Sequence, residues 1–349
     1  MTPVPDLFWA VLAGVFGAVI GSFLNVVVWR LPRGQSLMDP PRSYCPRCKH
    51  VLGAAENIPL LSFLAQGGRC RACREPIPWR YFWVELACAA LFVAITERFG
   101  PTLDTVAYCA FGALLLAALF IDLELYVIPD ELNTLALLVG VSRDVWGAAA
   151  GEPNHALLWG WLPRSVLGAM VCASVFVAIQ VLGRALFHKD AMGDGDVKLA
   201  RAIGAMMPLR LALVSFLLAI GVGAVLGGAL VLLQAIRRPA AAETGARDAQ
   251  DEEPEATPLA EILRYGLYYV AFVDLLIAAA ARVGVAPARR AAARWAAEAP
   301  PDEEDDFVPG PTHIPFGPYM VVGAFLALFV GDRLIAWYLA WAGLGPRGA

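Results

Sequence analysis

Apolar residues dominate this chain in long runs that polar residues bound rather than interrupt. Such runs occupy roughly residues 7 to 29, 81 to 99, 104 to 121, 131 to 149, 164 to 187, 210 to 236 and 316 to 342, each close to the ~17–25 residues needed to cross a bilayer as a helix. A shorter apolar stretch, roughly 197 to 208, follows Asp196 directly. The pattern predicts an all-α polytopic membrane protein with about eight transmembrane helices. The first run lacks a basic n-region and is too long for a cleavable signal peptide, so it reads as a helix that stays. Residues 259 to 283 form another apolar helix candidate, but Glu261, Arg264, Asp274 and Arg282 interrupt it. An interfacial helix fits those charges and its tyrosines better than a span.

Composition agrees with this pattern. The 349 residues are 59% hydrophobic and 17% charged, with a mean hydropathy of +0.61, too apolar for a soluble domain of this length. The net charge of -4 conceals a segregation of acids and bases along the chain. Nine Arg and Lys residues lie between Arg30 and Arg80, which puts that loop in the cytoplasm by the positive-inside rule. Counting crossings from there brings Asp122, at the end of the third helix, and Lys189 and Asp196, after the fifth, to the same membrane face. Acid gathers between Glu243 and Asp306, and the segment from about 239 to 312, with its run Asp302 to Asp306, reads as largely mobile. The expected organisation is therefore a first transmembrane helix (1–30), a cytoplasmic four-cysteine loop (31–80) and a transmembrane catalytic core (81–236). An acidic insertion with an amphipathic helix (237–312) and a last transmembrane helix (313–349) follow.

The loop carries two C-x-x-C pairs, Cys45–Cys48 and Cys70–Cys73, with 21 residues between them, close to zinc-ribbon spacing. Each pair aims two thiolates at one point, and four thiolates close a tetrahedral structural zinc site. Two disulfides or redox motifs are the alternative, which a reducing cytoplasm disfavours. The surrounding Arg47, Lys49, His50, Arg69 and Arg71 read as a solvated face or as ligands of anionic lipid rather than as a nucleic-acid surface. Cys88, Cys109 and Cys172 fall inside apolar runs and read as packing residues.

Two acids at the ends of apolar runs carry the candidate chemistry, Asp122 in Phe120-Ile121-Asp122-Leu123 and Asp196 in Gly193-Asp194-Gly195-Asp196-Val197-Lys198. An ionisable group beside hydrocarbon costs roughly 2.5 kcal/mol or more, which makes each a functional candidate. Taken alone, they are also compatible with helix caps or ion ligands. Asp130 reads as a cap of the next helix, and Glu124 and Asp194 as solvated. Lys198 reads as a stabiliser of developing charge, a phosphate ligand or a snorkelling anchor. If the two carboxylates meet, they share a proton, and one serves as base while the other serves as acid.

These residues resemble the prepilin peptidases, bacterial members of the GxGD intramembrane aspartyl proteases. The resemblance runs through Gly21-Ser22-Phe23-Leu24-Asn25-Val26-Val27 with Arg30-Leu31-Pro32, the four cysteines, Glu56-Asn57-Ile58-Pro59-Leu60-Leu61-Ser62, and Gly68-Arg69-Cys70. It continues through Arg80-Tyr81 with Glu85, Ile121-Asp122, Ile128-Pro129-Asp130, Gly193-Asp194-Gly195-Asp196-Val197-Lys198-Leu199 and Ile314-Pro315-Phe316-Gly317-Pro318. It covers about residues 14 to 236 and 314 to 330. It implies an enzyme of the bacterial inner membrane that cleaves the basic leader from type IV prepilin or pseudopilin precursors, including those of type II secretion, at the cytoplasmic face. The new N-terminal amine is then methylated from S-adenosylmethionine. Asp122 and Asp196 are the implied catalytic pair, Cys45, Cys48, Cys70 and Cys73 the zinc ligands, and Glu56, Asn57, Gly68 and Arg69 the neighbourhood of the methyl donor. Those last four residues could instead simply fold the zinc loop, and no glycine-rich nucleotide fingerprint supports a donor site. A protease without methyl transfer and a cation transporter with a zinc docking loop are the competing readings. Relay acids in transporters sit mid-helix, whereas these two fall at helix ends.

Overall fold

A computed structural model of the chain describes residues 6–152, 155, 158, 161–187, 192–237, 258–298 and 315–344, with side chains excluded at 230–237 and 294–298. Lys189, the polar stretches 238–257 and 299–314, and with them the acidic run Asp302 to Asp306, lie outside the described residues. The chain divides into two compact units, Met1–Gly160 and Trp161–Ala349.

In the first unit, α1 (Asp6–Arg30) is followed by a 3-10 turn at Leu31–Arg33 that ends on Gly34 with φ 60°. The cytoplasmic-loop candidate then holds a 3-10 helix Ala54–Asn57 and α2 (Leu61–Ala65), before α3 (Trp79–Phe99), α4 (Leu103–Leu125) and α5 (Asp130–Ala149). The α1–α3 pair is the closest helix contact here, and its cause is legible in Gly17-x-x-x-Gly21. A Cβ on Gly17 would stand 2.7 Å from the Cys88 carbonyl oxygen, and one on Gly21 would stand 2.7 Å from the Glu85 Cα. Small residues spaced four apart let two backbones meet where lipid supplies no hydrophobic drive. The opposite side of α1, with Leu7, Val11, Val15 and Val19, is exposed, as a lipid-facing surface would be. At the far end of α4, Arg143 donates twice to Asp104 (2.6 and 3.0 Å), and His155 bonds Asp144 at 2.9 Å, tying the start of α4 to the end of α5.

The second unit contains α6 (Arg164–Phe187), α7 (Asp194–Met206), α8 (Leu209–Arg237), α9 (Leu259–Val270), α10 (Val273–Arg282), α11 (Ala286–Glu298) and α12 (Gly317–Trp341). Gly168 of α6 and Gly204 of α7 face each other so closely that a Cβ on either would clash with the other's carbonyl oxygen, and Cys172 fills the same seam. Pro208 separates α7 from α8, since the residue before a proline is driven out of the helical region. On α12, Gly323 brings the backbone of Ser215 on α8 into equally close contact.

Every apolar run expected to be helical is helical. Among the described residues, five helices (α1, α4, α6, α8 and α12) are long and apolar enough to cross a membrane. The expectation of about eight transmembrane helices is thus not met: five of the described helices qualify as spans. The α3 and α5 helices carry charges within their length, and α7, at 13 residues, reaches only about 20 Å against a hydrocarbon core of about 30 Å. The candidate helix at 259–283 is two helices rather than one, α9 and α10 meeting at 70°, with Phe272 at φ 58° in the break; counted as one span, they make six. Cys88, Cys109 and Cys172 are buried within helices, as packing residues should be.

Candidate active site and metal centre

The two C-x-x-C turns are copies of one backbone device. In the first, the Cys45 N–H donates to the His50 carbonyl and the Lys49 N–H to the Cys45 carbonyl. In the second, the Cys70 N–H donates to Glu75 and the Arg74 N–H to Cys70. Lys49 and Arg74, each directly after the second cysteine of its pair, take positive φ (58° and 62°), which closes both turns. Isolated bridges Tyr44–Val51 and Arg69–Pro76 seal the two knuckles, and no longer strand occurs among the described residues. All four Sγ atoms lie within 4.8 Å of one another, with Cys45–Cys73 at 3.8 Å and Cys48–Cys70 at 3.9 Å. A tetrahedron of thiolates about 2.3 Å from a zinc ion has edges of about 3.8 Å, so the cluster fits that ion. A disulfide needs about 2.05 Å, and neither pair is near it. The backbone N–H of Cys48 draws the Cys45 thiol down to about 7. At Cys73 the Glu75 N–H pulls in the same direction, but burial and the three neighbouring thiols prevail and push it up to about 12.

The loop is fastened to α1 and α3 by the residues that carried its sequence pattern. Buried Arg30 donates to the carbonyls of Ser36, Leu37 and Pro40 (3.0–3.3 Å), Asn25 donates to the Tyr81 carbonyl at 3.1 Å, and Glu85 accepts the Leu60 N–H at 2.7 Å. Glu56 accepts from the Gly53 N–H (2.8 Å) and bonds His50 (3.1 Å); these two partners, the Gly53 N–H first, hold its carboxyl below the usual range. Glu56 is therefore committed to linking the 3-10 helix to the first knuckle. Asn57 is exposed beside it. Gly68 and Arg69 lie elsewhere in the loop, lining a shallow groove of about 390 Å³ with Gly67, Pro76, Ile77, Pro78 and Trp79. The four residues expected near a methyl donor thus divide into two pairs, and only Gly68 and Arg69 line that groove.

Asp122 occupies the last turn of α4, 4% exposed, and its Oδ2 has no hydrogen-bond partner among the described residues. Its backbone carbonyl accepts the N–H of Tyr126, whose left-handed conformation ends the helix. Glu124 is exposed, as expected, and accepts a 2.6 Å bond from Arg80 at the start of α3. Asp130 does not cap α5. Pro129 is the flanking residue, and Asp130 stands inside the first turn, where its charge suits the helix dipole.

Asp196 sits half-buried in the first turn of α7, its N–H bonded to the Gly193 carbonyl at 3.2 Å. Asp194 is exposed, as expected, yet it also accepts from Gln180 of α6 (3.1 Å) and from the Tyr269 hydroxyl (2.9 Å). Lys198 stands 5.2 Å over the Tyr269 ring. Farther along α7, the guanidinium of Arg201, 2% exposed, grips both Asp274 oxygens (2.9 and 2.8 Å) and the Tyr269 carbonyl (3.0 Å). Sequence reasoning did not single out Gln180, Arg201 or Tyr269. The signal was present in the spacing of Asp194, Lys198 and Arg201, which puts three polar groups on one face of a short helix.

Fold and site define a class, a helical multi-pass membrane protein with four converging thiols that could hold a metal ion and acids held at helix ends. Comparison with known proteins refines it. The profile of the Bacterial Peptidase A24 N-terminal domain matches residues 15–99, and that of the Type IV leader peptidase family matches residues 109–228. Proteins named prepilin leader peptidase/N-methyltransferase are similar along the chain. The one from Myxococcus xanthus is 35% identical, over 93% of this chain and 91% of that protein. Its counterpart from Aeromonas hydrophila is 38% identical, over 66% of this chain and 83% of that protein. A third, from Stutzerimonas stutzeri, is 29% identical over 99% of this chain and 100% of that protein. No solved structure matches the chain. The chain belongs to the type IV leader peptidase family, the prepilin leader peptidase/N-methyltransferases, and is an enzyme of the inner membrane.

Proposed function

We propose that this enzyme cleaves the leader of type IV prepilins or pseudopilins with Asp122 and Asp196 as an acid/base pair at the cytoplasmic membrane face, and then methylates the amine it has released. The observation that carries the peptidase reading is the buried, unpartnered Oδ2 of Asp122. Leaving a buried polar atom without a partner costs about 1–3 kcal/mol, more for a charged group, and a carboxylate that stabilises nothing visible is most simply kept for chemistry. One carboxylate takes a proton from water as the oxygen adds to the scissile carbonyl. The other gives a proton to the departing amine as the C–N bond breaks. No serine or cysteine nucleophile is required. The substrate's apolar helix remains in lipid, and its basic leader remains in water on the side of the Arg30–Arg80 loop.

Zinc held by Cys45, Cys48, Cys70 and Cys73 would be structural, because four thiolates leave no open position for substrate. It would hold the two knuckles, and with them Gly68 and Arg69, in one rigid unit. S-adenosylmethionine, when bound, supplies an electrophilic methyl group. Arg69 is the cation in the loop groove suited to the donor's carboxylate, and the exposed ring of Trp79 is a surface on which an adenine can stack. Glu56, already engaged by Gly53 and His50, acts with Asn57 in shaping the loop. Membrane lipid meets the exposed apolar faces of the spans.

The pair reading requires the two carboxylates to meet. Asp122→Cys with Asp196→Cys, in a background with Cys88, Cys109 and Cys172 replaced by Ala, should form a disulfide on mild oxidation. Absence of that bond in folded, zinc-loaded protein would remove the dyad.

A further inference from the structure

Helices α9 and α10 lie beyond both matched regions, which end at residue 228, yet they are bonded to the helix that carries Asp196. The contact is a built one. Asp194, Lys198 and Arg201 recur at i, i+4 and i+7 and so form one stripe along α7. All three meet the same six-residue stretch, Tyr269 to Asp274: Asp194 at the Tyr269 hydroxyl, Lys198 at its ring, and Arg201 at its carbonyl and at Asp274. The 70° break at Ala271–Phe272 makes this possible, because it turns a carbonyl in the last turn of α9 and a carboxylate in the first turn of α10 toward one guanidinium. Tyr269 is 3% exposed and Arg201 2%, so the guanidinium end of the contact is removed from solvent, while Asp194 at the other end is exposed. Gly266 presses α9 onto Val177 of α6, where a Cβ would stand 2.5 Å from a Val177 methyl. Asp196, two residues from Asp194, points about 200° around the helix from that stripe, away from the contact.

We propose that the α9–α10 pair is a clamp that fixes the roll of α7 about its axis, and that Tyr269, Asp274 and Arg201 are positioning residues for Asp196. The proposal rests on Asp196 being catalytic. The close Gly168–Gly204 seam sets the distance of this thirteen-residue helix from α6, and the directional bonds on another face add a fixed angular reference for its roll. A bidentate guanidinium–carboxylate pair adds the geometric specificity that a packing contact lacks.

The test measures kcat, KM and melting temperature of the full-length enzyme on a purified prepilin. The variants are Tyr269→Phe, Asp274→Asn and the double variant Arg201→Met with Asp274→Leu, with Asp196→Asn as control. Tyr269→Phe deletes a single hydroxyl and should lower kcat about tenfold with KM within about twofold and the melting temperature unchanged, since a misplacement of about 1 Å costs up to about 10²-fold. Asp274→Asn should lower kcat by up to about 10²-fold. The double variant replaces the buried pair by apolar groups of similar size, which is often neutral or stabilising, so it should melt at or above wild type while kcat stays low. Wild-type kcat in Tyr269→Phe and in the double variant, beside an inactive Asp196→Asn, would overturn the clamp. Activity that simply follows melting temperature across the series would reduce the contact to a fold-stabilising one and overturn it as well. An active Asp196→Asn would instead remove the catalytic reading on which the clamp rests.

Discussion

Replacing Asp122 by Leu should stabilise this protein while abolishing its peptidase activity. Leu has the same branching as Asp, so the change exchanges two carboxylate oxygens for two methyl groups at a site that is 4% exposed. One of those oxygens, Oδ2, is buried without a partner among the described residues. Removing such an atom relieves about 1–3 kcal/mol, and the added apolar burial roughly offsets the strain of the slightly larger side chain. At about 2 kcal/mol, a unit the size of the first one (residues 1–160) should melt roughly 4–8 °C higher. Asp122→Asn keeps the shape, leaves a polar amide in place of the carboxylate, and should barely move the midpoint. Differential scanning in detergent at one fixed scan rate reads the shift, since unfolding of such proteins is kinetically controlled. Stability gained where function is lost marks a group kept for its chemistry. A fall of several degrees in Asp122→Leu would mean that the carboxylate holds the helix end together and is not held in reserve for chemistry.

Cys45→Ser or Cys73→Ser should lower bound zinc from one per chain and loosen the loop, because structural zinc contributes about 10–16 kcal/mol to folding in small domains; elemental analysis of purified protein checks this, and unchanged zinc would remove the assignment. Gly21→Leu should force α1 from α3, since its Cβ alone would approach the Glu85 Cα to 2.7 Å, at a cost of about 1–3 kcal/mol or more, read as lower yield and melting temperature. Glu124→Gln, which weakens a partly exposed ion pair with Arg80, should cost at most about 1 kcal/mol and leave cleavage intact. Loss of cleavage in that variant would make Glu124 a third functional acid.

Much of this protein is legible in its sequence because its strongest signals are local. Apolar run length located the helices, and the C-x-x-C spacing located four thiols that do converge. What escaped is long-range and polar. Asp194 looked like a solvated acid at a helix start, and nothing near it in the chain announces the Tyr269 hydroxyl 75 residues away. The bend between α9 and α10 follows from Phe272 adopting a left-handed conformation, which no turn residue signals. Lys49 and Arg74 close the knuckles in that same conformation, where sequence rules would look for glycine. Asp130 looked like a cap because acids favour that position, but the Pro129 before it fixes the backbone one residue earlier. Glu56 and Arg69 were grouped by motif, yet only Arg69 lines the loop groove, a division that depends on how the loop folds back on itself.

The central claim is that two aspartates cut and the same enzyme then methylates. Co-expression of a prepilin with wild type, Asp122→Asn or Asp196→Asn, followed by intact mass of the pilin, tests it directly. Wild type should yield a product lacking its leader and heavier by one methyl group, and both variants should leave the precursor whole in folded, zinc-loaded enzyme. Leader removal by either variant would contradict the dyad, and a cleaved product without the added methyl mass would contradict the second activity.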